Sequence, residues 1–172
     1  MKKNMVVVTF AAIAALTIPA SVVSGQRVQD TQSPVQLSTG NAGAIRGVWR
    51  TVVTPRNCLT DEPIVSFAGL FTFNDGGTMS EYGIPPGSSP ALRSPGHGLW
   101  QREHGWQDYS FVFTYYRYNG SGVFLGSQKV TAALELVAGG DEFASRSMIE
   151  VLDVNDSVIG TGCATAAGRR LE

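Results

Sequence analysis

Residues 106–137 read WQDYSFVFTYYRYNGSGVFLGSQKVTAALELV, and this stretch decides the fold. Tyr109, Phe111, Phe113 and Tyr115 fall on alternate positions, and so do Val130, Ala132, Leu134 and Leu136. A period of two sends successive side chains to opposite faces, so each run reads as a strand with one apolar face. Between the runs, Asn119-Gly120-Ser121-Gly122 supplies the residues that accept the positive φ of a tight hairpin turn. The stretch is one long antiparallel hairpin.

Working outward, the same alternation gives eight strands in all: Ile45 to Thr54, Ile64 to Phe73, Thr78 to Tyr82, Gly98 to Glu103, Trp106 to Tyr118, Val123 to Val137, Glu142 to Val154, and Ser157 to about Arg170. Asn74-Asp75-Gly76-Gly77, His104-Gly105, Gly139-Gly140-Asp141 and Asn155-Asp156 punctuate them. Connections this short join neighbours, so the order is a meander. The expected fold is all-β, an eight-stranded antiparallel up-and-down barrel, with a β-sandwich as the alternative. Closure removes both exposed sheet edges, which a sandwich keeps.

Upstream, Lys2 and Lys3 precede an apolar run from Met5 to Ile18, then Pro19 and the small residues Ser21, Ser24 and Gly25. This order is that of a secretory signal, and the apolar run is shorter than the roughly 20 residues of a membrane-spanning helix. Residues 1–25 are therefore expected to be a signal peptide, residues 26–43 a polar tether and residues 44–172 the barrel domain. The chain is expected to be exported, to the periplasm or beyond the cell, with no stable membrane insertion. Loss of Lys2 and Lys3 takes the net charge from -1 to -3, and the arginines are scattered. No nucleic-acid footprint is present.

Cys58 and Cys163 are the two cysteines. In an exported chain a disulfide between them is the expected state, and the absence of a Cys-x-x-Cys pair makes it a staple, not a redox centre. Closing a loop of about 100 residues is worth on the order of 4 to 5 kcal/mol in the chain-entropy model. Such a bridge requires the first and last strands to be neighbours, as a closed barrel makes them.

Gly47-Val48-Trp49 at the start of the first strand resembles the Gly-x-Trp signature of the lipocalins and wider calycins. The resemblance implies that Trp49 closes the barrel floor and that an arginine from the end of the last strand, Arg169 or its neighbour Arg170, lies across its ring. With Arg169 opposite Trp49, the turn at Pro55-Arg56-Asn57 would take up the offset needed to bring Cys58 to Cys163. Through the Ser-Pro-Ala-Leu-Arg-Ser-Pro-Gly-His-Gly loop, Ser89 to Gly98, the chain also resembles uncharacterised exported proteins of soil bacteria, a group that implies no activity.

Inside the barrel, Val65, Phe67, Phe71 and Phe73 should form one stripe, facing those of the fifth and sixth strands. On the last strand Gly160, Gly162, Ala164 and Ala166 share a face of small side chains. Two readings stay open: the aromatic rings fill the space left there, or a cavity remains. The 83–98 loop, GIPPGSSPALRSPGHG, is either a stiff spacer or a lid over that cavity. Its Arg93 and His97 could hold an anionic head group, or Arg93 could pair with a carboxylate.

No Gly-x-Ser-x-Gly elbow or phosphate-binding loop occurs, and Gly160-Thr161-Gly162 lacks the rest of a dinucleotide fingerprint. His97 and His104 with Glu103 or Asp108 match no metal-ligand spacing, and no cofactor is expected. Three functions remain. The first is a binding barrel for a partly apolar or amphipathic small molecule, lined by Phe67, Phe71, Phe111, Phe113 and Tyr115. The second is a structural or interaction module with a filled core. The third is a cyclase- or isomerase-type enzyme, which needs a polar group such as Arg93, His97, Glu81 or Tyr115 pointing inward.

Overall fold

A computed structural model of the chain describes residues 45–172. The signal peptide and the polar tether expected from the sequence lie outside the described residues. Eight strands form a closed antiparallel barrel in sequence order: β1 (Gly47–Arg56), β2 (Phe67–Phe73), β3 (Thr78–Gly83), β4 (Gly96–Arg102), β5 (Asp108–Tyr118), β6 (Phe124–Leu136), β7 (Glu142–Leu152) and β8 (Val158–Arg170). A single short 3₁₀ turn, Pro90–Leu92, interrupts the β3–β4 connection. Among the described residues no helix is long and apolar enough to cross a membrane.

The hairpins use the expected turn chemistry. The Asn119 side-chain oxygen accepts the N–H groups of Ser121 and Val123, and Asp153 does the same for Asn155 and Ser157, so the β5–β6 and β7–β8 turns are built alike.

Pairing of β1 with β8 closes the barrel, with Trp49 opposite Arg170 and Arg56 opposite Cys163. This register corrects two expectations. Arg170, not Arg169, lies over the Trp49 ring, its guanidinium carbon 4.3 Å from the centroid. Arg169 is exposed and stands opposite Arg50 and Glu142. Also, β1 runs unbroken through Pro55 and Arg56, so no turn there adjusts the register; Cys58 sits just past the strand end and reaches Cys163 directly, with a Cα–Cα distance of 5.2 Å. The alternation explains the choice of arginine, since Trp49 faces inward and, of the two arginines, only its direct cross-strand partner Arg170 shares that face.

At the floor, the Trp49 indole N–H donates to the Ile45 carbonyl at 2.7 Å, and Arg170 donates to the carbonyls of Arg46 and Gly140. Gly47 has φ +124, and a Cβ there would lie 2.9 Å from the Arg170 guanidinium. Glycine at this point is required both by the backbone and by the arginine. Phe143 packs edge-on to Trp49 at 5.1 Å and presses on β8, where a Cβ on Gly168 would fall 2.1 Å from its ring.

Every inward stripe is seated as expected except at one residue. Phe71, Phe73, Tyr109, Phe111, Phe113, Val130, Ala132, Leu134 and Leu136 are buried in one core. Val65 precedes β2 and is 42% exposed, because β2 begins at Phe67, three residues later than the expected start at Ile64. Toward the other end of β8, Cβ atoms on Gly160 and Gly162 would make only ordinary contacts with Val151 and Ile149. The barrel is thus tightly filled at its floor and loosely filled toward its mouth.

Gly168→Ala should therefore lower stability by about 1 to 3 kcal/mol through overpacking against Phe143, whereas Gly162→Ala should be close to neutral, as read by urea denaturation. Equal effects at the two positions would contradict the uneven filling. The intact protein should also weigh two hydrogens less than its reduced form, and Cys58→Ser with Cys163→Ser should cost about 2 to 5 kcal/mol of stability.

Candidate ligand-binding site

The mouth half of the barrel encloses a cavity of about 200 Å³. One wall is aromatic, with Phe67 and Phe71 from β2 and Phe111, Phe113 and Tyr115 from β5. The opposite wall is low, with Ala164 and Ala166 from β8 and Ser147 and Ile149 from β7. All five aromatic residues expected to line a cavity line this one. Phe111 is also part of the packed core, in contact with Phe71 at 5.7 Å and Phe73 at 5.9 Å, so the two readings of the aromatic stripe apply to different depths of the same barrel.

Glu81 and Arg93 meet at the edge of this cavity. Glu81 lies on β3 between Phe71 of β2 and Gly96 of β4, faces inward and is only 4% exposed. A Cβ on Gly96 would stand 2.8 Å from one Glu81 oxygen, and one on Gly83 would stand 3.4 Å from the other, so these two glycines leave the room that the carboxylate occupies. Arg93 follows the Pro90–Leu92 turn. Its backbone bridges to Arg117, and Ser94 exchanges hydrogen bonds with Tyr116, donating its N–H to the Tyr116 carbonyl at 3.0 Å and accepting the Tyr116 N–H on its hydroxyl at 2.9 Å. This stitching continues the β5 pleat into the loop and turns Arg93 inward.

The Arg93 guanidinium donates to both Glu81 oxygens, to the Gly83 carbonyl at 2.7 Å and to the Ser94 carbonyl at 3.2 Å. It lies 3.6 Å from the Tyr115 ring centroid, a cation–π contact made by a guanidinium that is itself mostly buried. Burial raises the Glu81 carboxyl above the ordinary glutamate range, against the pull of the Arg93 charge. Burial also pushes the Tyr115 hydroxyl up to about 12, so it is a neutral donor across the physiological range.

Arg93 is therefore part of the site, but as the partner of a carboxylate and not as a free cation for an anionic head group. His97 is not part of it. The residue is exposed on the outer face of β4, because the inward positions of that strand are Gly96, Gly98 and Trp100. His104 lies beyond the far end of the same strand, so the two histidines do not come together. Among the described residues no group of three His, Cys, Asp or Glu side chains is arranged to hold a metal.

Gln128, Ser147 and Pro85 also line the cavity and were not singled out by the sequence. Gln128 keeps the alternation of Val130 and Ala132, and Ser147 that of Phe143 and Ile149. A polar residue on an apolar phase was the available signal. No protein-family model matches the chain, and no curated protein is similar to it in sequence.

Breaking the Glu81–Arg93 pair from one side leaves a buried charge. Arg93→Met should cost about 3 to 5 kcal/mol, and the double variant with Glu81→Gln should recover most of that loss. Additive losses in denaturation experiments would contradict the coupling. With Glu81 raised in the folded state, the native protein binds its proton more tightly than the unfolded chain does. This contribution to stability is full in acid and is lost as pH rises from the ordinary glutamate range through the raised native value, and Glu81→Gln should flatten that limb of the stability profile.

Proposed function

We propose that the chain is an exported small-molecule-binding barrel whose ligand is compact and partly apolar, held beneath the β3–β4 connection, residues 84–95. The observation that carries this reading is the cavity itself: a space bounded on one side by five aromatic rings and left open on the other by alanines. A core selected only for stability fills such a space, since voids forfeit dispersion contacts and cost stability. The volume of about 200 Å³ falls below the roughly 300 to 1,000 Å³ of drug-sized sites, which argues for a small ligand. Kinship with the lipocalins and calycins is supported by Gly47-Val48-Trp49 and by Arg170 over the Trp49 ring. Export is supported by the N-terminal signal pattern and by the Cys58–Cys163 bridge.

A cyclase- or isomerase-type enzyme draws support from one feature, the inward placement of Glu81, Arg93 and Tyr115. Against it, the carboxylate is engaged by Arg93 and the phenol is held neutral.

Native mass spectrometry of the protein purified from its own export compartment, followed by solvent extraction, tests the binding reading. A retained small molecule is expected, and Ala164→Phe, which fills the cavity from its low wall, should abolish retention while the barrel still folds. Retention unaffected by that substitution would place the ligand elsewhere.

A further inference from the structure

Resting on the binding-barrel reading, the polar groups of the cavity narrow the ligand class. We propose that the cavity takes neutral, ring-bearing molecules through a carbonyl oxygen that the Tyr115 hydroxyl and the Gln128 amide hold at the mouth, and that it rejects anions.

Tyr115 and Gln128 are direct cross-strand partners on β5 and β6, and both line the cavity. Residues so placed have Cβ atoms about 5 Å apart, within reach of one shared ligand atom. Among the described residues neither side chain makes a hydrogen bond to another protein group through its hydroxyl or amide. Neither group is fully buried without a partner, so both are open to a ligand, and an O–H and an N–H donor on adjacent strands suit the two lone pairs of a carbonyl oxygen. The phenol keeps its proton up to about 12, so it does not become a phenolate that would repel that oxygen.

The charges of the site point away from an anion. Arg93 already directs N–H groups at both Glu81 oxygens, at the Gly83 carbonyl and at the Ser94 carbonyl. An incoming carboxylate would find that cation neutralised and would meet the Glu81 carboxylate beside it. The shape of the cavity selects a ring. Phe111 and Phe113 lie near parallel, with centroids 6.1 Å apart and an interplanar angle of 16°, and line the cavity together with Ala164 and Ala166. A ligand ring extends this set of aromatic contacts where the alanines leave room for it.

Three probes of one skeleton separate the possibilities: acetophenone, ethylbenzene and benzoate, titrated calorimetrically into the exported form of the protein. Acetophenone should bind about tenfold tighter than ethylbenzene, and benzoate should bind weakest. Tyr115→Phe and Gln128→Leu should each weaken acetophenone several-fold and leave ethylbenzene unchanged; the wild-type comparison stands even if a variant fails to fold. Equal binding of acetophenone and ethylbenzene overturns the carbonyl subsite, and tightest binding of benzoate overturns anion rejection, while either result leaves the barrel a binding protein. Failure of all three to bind overturns the ring-bearing ligand class, while the binding-barrel reading falls only if no molecule is retained in the native mass spectrum.

Discussion

Pairing of β1 with β8 is the constraint on which the rest depends. It removes the two strand edges that an open sheet would expose, and its register decides which residues of the two terminal strands share the interior. With Trp49 opposite Arg170, the indole and guanidinium stack across the floor, and Gly47 makes room for the arginine. The same register carries Arg56 opposite Cys163 and so brings Cys58 within bonding range near the mouth. The seam is thus fastened at both ends, by a cation–π plug at one and a covalent bond at the other.

The interior is filled from one end only. At the floor, Phe143 occupies the space that Gly168 vacates, and Trp49, Phe73 and Leu136 complete a layer with little solvent access. Farther along β8 the residues stay small, but the facing positions of β7 change to Ser147 and Ile149, which do not reach across. A cavity results because small side chains on one wall are not matched by larger ones on the next. The aromatic wall is held by its own edge-on and stacked contacts.

Burying Glu81 and Arg93 in this barrel requires each to satisfy the other. Gly83 and Gly96 leave room for the carboxylate, and the stitching of Ser94 to Tyr116 aims the guanidinium at it. The pair ties the 84–95 loop to the sheet from within. The loop is therefore an ordered roof to the cavity, and the cavity contains a matched pair of charges instead of a single one.

Much of this was legible in the sequence, because strands with one buried face must alternate. The eight strands, their order, their turns and the inward phase of Phe67, Phe71, Phe111, Phe113 and Tyr115 follow from local periodicity and turn chemistry alone. The two cysteines, in a chain that begins with an export pattern, also pointed to a bridge. What did not follow was which face of β8 is the inner one: Arg170 shares the phase of Ala164 and Ala166, and only closure against β1 turned that small-residue face, and Arg170 with it, toward Trp49. The partnership of Glu81 with Arg93, the outward turn of His97 and the entry of Gln128 and Ser147 into the cavity were likewise decided by the tertiary structure. Each depends on which strands curve around to face one another, and that information is spread over the whole barrel and absent from any one segment.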